Sequence, residues 1–186
     1  MNLFRFIRKC LTNRRAAKSS AKLVLNDIYG KIYWSFFPDR PLVYHLDTGT
    51  SLLLEPKHSF THCFWPDVDH YEPDVKGIIN FLLKRGDVFI DCGANIGYFS
   101  IYAGGIVGEK GQVIAVEANP ITLETLQRNL QLNQLNPPTH CALGDYIGTT
   151  TLYSPEIGDV YSSLNQGGLI QDCNVDVKKF TVPCQT

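Results

Sequence analysis

An α/β fold built on a doubly wound parallel sheet is predicted by three observations in the middle of the chain. Two apolar runs, Val88-Phe89-Ile90 and Val113-Ile114-Ala115-Val116, each end in an acid, at Asp91 and Glu117. A glycine-bearing turn and a helical stretch around Phe99–Ala103 lie between them. A second helical pattern follows, with Leu123, Leu126 and Leu130 on one face. Strand, helix, strand, helix in that order implies parallel strands joined by right-handed crossovers. Ligands of such sheets bind outside the carboxyl ends of the strands, where both acids stand.

Composition bounds the rest. The 186 residues carry 17 Lys+Arg against 18 Asp+Glu, a net charge of −1, with 44% hydrophobic and 19% charged residues. A disordered tail has fewer apolar residues, and a basic nucleic-acid module has more positive charge. No nucleic-acid partner is therefore expected. No apolar run reaches the roughly 18–20 residues that span a bilayer. Arg5, Arg8 and Lys9 interrupt the first ten residues before a signal-peptide core could form, which predicts a cytoplasmic protein. The six cysteines, at 10, 63, 92, 141, 173 and 184, are never closer than 11 residues, which excludes CxxC and zinc-finger spacing. They read as reduced thiols.

Residues 1–70 form an N-terminal extension. Its first 26 residues hold seven basic side chains and no acid, with Leu3, Phe4, Ile7 and Leu11 at helical spacing. That pattern gives a lead-in helix packed on the domain, or one that touches an anionic membrane surface. Leu42–Leu46 and Ser51–Glu55 flank Asp47-Thr48-Gly49-Thr50 as a hairpin. In 57–74, His58, His62, Cys63, Asp67, Asp69 and His70 mingle with Phe60, Phe64, Trp65 and Pro66. The aromatics and the proline favour a packed loop over a metal site.

The second unit, 71–186, opens with a helix. Val75, Ile78, Ile79, Leu82 and Leu83 share one apolar face, Pro73 suits the first turn, and Gly86 suits a C-terminal cap. The strand Val88–Asp91 should then be buried on both faces. Asn119 caps the later helix, with Pro120 at its first position. Asn136-Pro137-Pro138 terminates it; no aromatic follows, unlike the N-P-P-[YF] motif of amino-group methyltransferases. Thr139–Leu143 reads as a third strand. Thr149–Tyr153 and Val175–Val182 read as further, antiparallel strands.

The turn Asp91-Cys-Gly-Ala-Asn-Ile-Gly97 carries the chemistry. Its glycines are four apart, which departs from both the dinucleotide G-x-G-x-x-G and the phosphate-binding G-x-x-x-x-G-K-[ST]. An Asp at the strand end suits a cationic group better than a phosphate. Glu117 can accept hydrogen bonds from both hydroxyls of a ribose. Together they point to a nucleoside cofactor, S-adenosylmethionine or NAD.

The run Asp87–Ser100, with Val113–Pro120, Asn129-Leu-Gln-Leu-Asn133, Ala142–Asp145 and Ser162-Ser163-Leu164, resembles the FkbM family of S-adenosylmethionine-dependent methyltransferases over roughly residues 71–186. The resemblance implies a Rossmann-like class I methyltransferase fold and methyl transfer to an oxygen of a small molecule or glycan. It implies Asp91, Gly93, Ala94, Asn95 and Gly97 along the methionine and ribose side, and Glu117 on the ribose hydroxyls. It places Asn119 near the adenine and Asp145 at the adenine amino group. The family pattern continues past a segment like Phe180–Thr186, so the chain reads as the front half of the catalytic domain. A strand edge left open by that truncation would invite self-association. An NAD-dependent oxidoreductase and a non-catalytic nucleoside-binding or interaction fragment are the alternatives. Five histidines could serve as a base, and their spacing selects none.

Overall fold

The computed structural model describes residues 14–58, 61, 64–155, 162–165 and 176–186. The amphipathic pattern over Leu3–Leu11 lies outside them. A long helix, α1 (Arg14–Phe36), comes first. One side of it packs on a short 3₁₀ segment, Trp65–His70. Gly30 makes this approach close: a Cβ there would fall 2.5 Å from Trp65 Nε1, so only hydrogen fits. The indole N–H donates to the Asn26 carbonyl at 2.7 Å. Leu25, Ile28, Ile32 and Phe36 remain exposed.

The hairpin pairs β1 (Leu42–His45) with β2 (Ser51–Leu54), Leu42 opposite Leu54. Leu52 and Leu54 are fully buried and join Ile96, Ile101 and Tyr102 in the largest core cluster. The aromatic loop packs as its composition predicts. Phe64 meets Tyr71 and Tyr98 edge-on, at centroid distances of 4.7 and 4.9 Å. Buried His58 bonds Thr125 Oγ1 at 2.7 Å, His70 bonds Asp67, and Asp69 accepts from the Tyr44 hydroxyl. His62 and Cys63 lie outside the described residues. The others are spent on separate pairings, and no metal-ligating group of three exists among the described residues.

The α/β unit runs α2 (Pro73–Leu82), β3 (Val88–Cys92), α3 (Tyr98–Val107), β4 (Gln112–Glu117), α4 (Pro120–Leu132), β5 (Thr139–His140) and β6 (Ala142–Leu143). Strands β3, β4 and β5 are parallel, with Ile90 beside Ile114 and Glu117 beside His140. The expected third strand breaks at buried Cys141. Its second half, β6, leaves β4 and pairs with β8 (Val177–Gln185), which runs antiparallel to β7 (Gly148–Pro155). Asn119 caps α4 by accepting from Ile121 N at 2.9 Å, and Leu126 and Leu130 are fully buried against Ala94 and Ala115.

Three expectations are corrected. The apolar face of α2 is largely uncovered: Ile79 is buried and Leu83 packs partly, but Val75, Ile78 and Leu82 are exposed. Gly86 does not cap this helix, which stops at Leu82. Its φ of +91° serves the turn into β3, where its N–H reaches the Val107 carbonyl. Finally, β3 is not buried on both faces, because Val88 and Ile90 are exposed. Among the described residues β3 pairs only with β4, so its outer edge carries free peptide groups. The strand expected over Val175–Val182 forms as β8 from Val177 and sits in a separate three-stranded sheet, between β6 and β7.

Candidate functional site

The turn after β3 is shaped by three residues with positive φ: Gly93 (+85°), Asn95 (+51°) and Gly97 (+94°). Gly97 is the N-cap of α3, and a Cβ there would fall 2.7 Å from Leu126 Cδ1. A glycine is thus required twice over, by dihedral and by packing.

Every backbone N–H from 93 to 97 is already used. Those of Gly93 and Ala94 both donate to the Val116 carbonyl at 2.9 Å, and that of Gly97 donates to the Ala94 carbonyl at 2.7 Å. Asn95 N donates to Glu117 Oε2 at 2.7 Å, and Ile96 N to Asn95 Oδ1 at 2.8 Å. Asp91 occupies the position beside the start of α3: its Oδ2 accepts from the Ser100 hydroxyl at 2.6 Å, and the carboxylate also accepts from the Ser100 N–H. A phosphate-binding turn leaves its N–H groups and its helix N-terminus open to an anion. Here the five turn N–H groups are filled from within, and the Asp91 carboxylate takes the Ser100 N–H in the first turn of the helix.

Two hollows flank this turn and share Gly93 and Asn95 in their walls. The first, of about 210 Å³, is lined by Asp91, Ala94 and Ile96 with the rings of Tyr71, Tyr98 and Phe99. The second, of about 300 Å³, is lined by Cys92, Glu117, Cys141 and Ala142, with Leu143, Leu152 and Ser162–Leu164 closing it. A ligand lying across the turn would reach one acid on each side.

Glu117 is 8% exposed, and its second oxygen accepts from Asn119 N at 2.7 Å. Two backbone donors therefore fix this carboxylate at the hollow, with lone pairs left for further donors. Asn119 is buried and does not line the hollow. Its side chain caps α4 and donates to the hydroxyls of Ser154 (3.3 Å) and Ser162 (3.0 Å), so it holds Ser162 in the wall from behind. Asp145 lies exposed just past β6, outside both linings. Tyr71, Tyr98, Phe99 and Leu152 line the hollows without any spacing signal in the sequence that marks them. No described histidine lines either one. His140 contacts the Ala118 carbonyl and His45 contacts Ser51 Oγ.

Burial raises the pKa of Asp91 above the ordinary aspartate value, and the two hydrogen bonds from Ser100 pull it back only in part. The folded chain thus holds this proton more tightly than the unfolded one. The contribution of Asp91 to stability is fully present below its unfolded pKa and is lost as pH rises through the folded value. Asp91→Asn removes that loss. Its melting temperature is expected to exceed that of the native chain at pH 7, with the gap closing in acid. A lower melting temperature at pH 7 would mean that the Ser100 bonds outweigh the burial of the charge.

Residues 72–151 match the model of the TRM5/TYW2 methyltransferase domain. A probable cobalt-precorrin-6B C(15)-methyltransferase (decarboxylating) from Sulfolobus acidocaldarius is 32% identical over 105 residues, 47% of this chain and 53% of that protein. The chain therefore spans about half the length of this curated relative. Among solved structures, a SAM-dependent methyltransferase from Aquifex aeolicus is 25% identical over 39% of this chain and 38% of its own, with a TM-score of 0.32. M. jannaschii TYW2 in complex with AdoMet is 18% identical over 63% and 65%, with a TM-score of 0.39. The matched model describes a different family from FkbM, and the two share only S-adenosylmethionine as cofactor. By that match and by its own sheet, the chain carries the Rossmann-like α/β architecture of class I, S-adenosylmethionine-dependent methyltransferases.

Proposed function

We propose that the chain supplies the S-adenosylmethionine-binding half of a methyltransferase. The observation that carries this reading is the closed anion site: all five N–H groups of 93–97 are occupied and Asp91 stands at the start of α3. NAD brings a pyrophosphate to this position, whereas S-adenosylmethionine brings a sulfonium and an α-ammonium group, with a carboxylate but no phosphate. The aromatic hollow beside Asp91 suits the cation, because a carboxylate and ring faces both attract positive charge. The hollow beside Glu117 suits the nucleoside. Glu117 accepts from the ribose hydroxyls, and Leu143, Leu152 and Leu164 offer an apolar bed to the base. Asn119 acts through Ser162, and Asp145, outside the lining, has only the family resemblance to assign it to the adenine amino group.

When bound, the cofactor supplies an activated methyl group on a sulfonium. The residues of this chain hold it so that the methyl faces an acceptor at near-attack distance. The FkbM resemblance favours an oxygen of a small molecule or glycan as acceptor, and the net charge of −1 agrees with an acceptor other than a polyanion. The TRM5/TYW2 match favours a second reading, a nucleic-acid acceptor. The match spans the turn, Glu117 and β3–β6, the elements that this reading assigns to the cofactor. The net charge supports the first reading and the family match supports the second.

Saturation-transfer NMR with S-adenosylhomocysteine and NAD tests the cofactor. The expected result is transfer to the adenosyl and homocysteine protons and none to NAD. Signal from NAD alone would overturn the reading in favour of an oxidoreductase. Binding of S-adenosylhomocysteine, with no methyl transferred from S-adenosylmethionine to any hydroxyl acceptor or RNA, would leave a binding module.

A further inference from the structure

The motif Asn129-Leu-Gln-Leu-Asn133 has no part in either hollow, yet its two asparagines are among the most heavily bonded side chains in the protein. Asn133 Oδ1 accepts from Ser51 N at 2.8 Å, and its Nδ2 donates to the Ser51 carbonyl at 2.7 Å. Asn129 repeats the pairing one turn earlier: Oδ1 accepts from Leu53 N at 2.6 Å, and Nδ2 donates to the Leu53 carbonyl at 3.2 Å. Four helical residues advance about 6.0 Å and two strand residues about 6.6–6.8 Å. The carboxamides therefore meet alternate peptide groups of β2, as a neighbouring strand would. β1 holds the opposite edge of β2, so the hairpin is docked on α4 as though it had a third strand.

Each carboxamide makes a third bond: Asn133 Nδ2 donates back into α4, to the Asn129 carbonyl at 2.8 Å, whereas Asn129 reaches out of its helix. Its Nδ2 also donates to the Ile96 carbonyl at 2.8 Å, and the side chain is wholly buried. Ile96 follows Asn95 in the turn that separates the two hollows. A single carboxamide thus ties together the hairpin, α4 and the glycine turn. Within the proposed cofactor-binding reading, we infer that Asn129 is a positioning residue that sets the 93–97 turn in its ligand-ready form, and that the N-terminal hairpin is part of the cofactor site through it. Without this donor the Ile96 carbonyl loses its fixed partner, and the positive-φ turn loses a restraint on its open side.

Asn133 supplies the control, since it clamps the same strand without touching the turn. Asn129→Ala, Asn129→Asp and Asn133→Ala are compared with the native chain by thermal denaturation, S-adenosylhomocysteine titration and amide hydrogen exchange at 93–97. Asp at 129 still accepts from Leu53 N but has no hydrogen for Ile96, so it carries the comparison if the alanine variant does not fold. All three variants should melt lower. Only the Asn129 variants should weaken binding, by about tenfold, and speed exchange at 93–97, whereas Asn133→Ala should stay within about twofold of native. Equal losses at both positions, or an Asn129 variant with native affinity and exchange, would overturn the inference. If the native chain does not bind S-adenosylhomocysteine, the cofactor reading fails on its own. The exchange comparison then decides the role of Asn129 alone: faster exchange confined to its variants supports it, and unchanged exchange ends it.

Discussion

Glu117→Ala is expected to weaken S-adenosylhomocysteine binding by about 3 kcal/mol, more than a hundredfold, and to lower the melting temperature as well. The carboxylate has two roles that alanine cannot fill. It holds Asn95 N and Asn119 N at 2.7 Å each, one from the glycine turn and one from the entrance to α4. It also offers its remaining lone pairs to a ribose. Removing it leaves two backbone donors short of a partner in a poorly hydrated place, where an unmade bond costs about 1–3 kcal/mol. Glu117→Gln should recover stability only in part, because the amide can accept one of the two bonds and must turn its own N–H₂ toward the other donor. Calorimetric titration and thermal denaturation of both variants check this. A folded Glu117→Ala chain with native affinity would reduce Glu117 to a brace for the turn.

The largest effect on solution behaviour is expected from the exposed apolar residues of α2 and β3. Phe81 is 82% exposed, with Ile78, Leu82, Val88 and Ile90 also exposed nearby in the chain, and the outer edge of β3 has no strand partner among the described residues. Apolar surface of this kind, next to open peptide groups, drives association. Sedimentation across a concentration series should show the native chain associating as concentration rises. Ile78→Glu with Phe81→Glu should move that association to at least tenfold higher concentration, since charges on both partners would have to be buried together. A native chain that stays monomeric throughout, or a double variant that associates equally well, would show that this face does not mediate contact.

These two sites also show how far residue patterns reach. The positive-φ glycines, the acids ending β3 and β4, and the Asn119-Pro120 helix start are local matters of backbone sterics, capping and strand termination. They were legible because the chemistry that requires them acts within a few residues. The same holds for the Asp47–Thr50 turn of the hairpin. The helix periodicity over 75–83 identified α2 correctly but could not say whether its apolar face is covered. Coverage depends on elements that pack from elsewhere in the chain.

What the chain determines by itself is therefore the α/β order, the glycine turn and the two acids that flank it; each follows from short-range dihedral and hydrogen-bond needs. Folding alone decided the rest. It consumed the N–H groups of 93–97, which separates a sulfonium nucleoside from a dinucleotide more sharply than glycine spacing does. It buried Asn119 as a support for Ser162, broke the third strand at Cys141, and paired β8 with β6 and β7 in a separate sheet. It also set Asn129 between Leu53 and Ile96, residues 76 and 33 positions away. A carboxamide can serve any peptide group within reach, and only the packing of α4 against the hairpin selects which ones it meets.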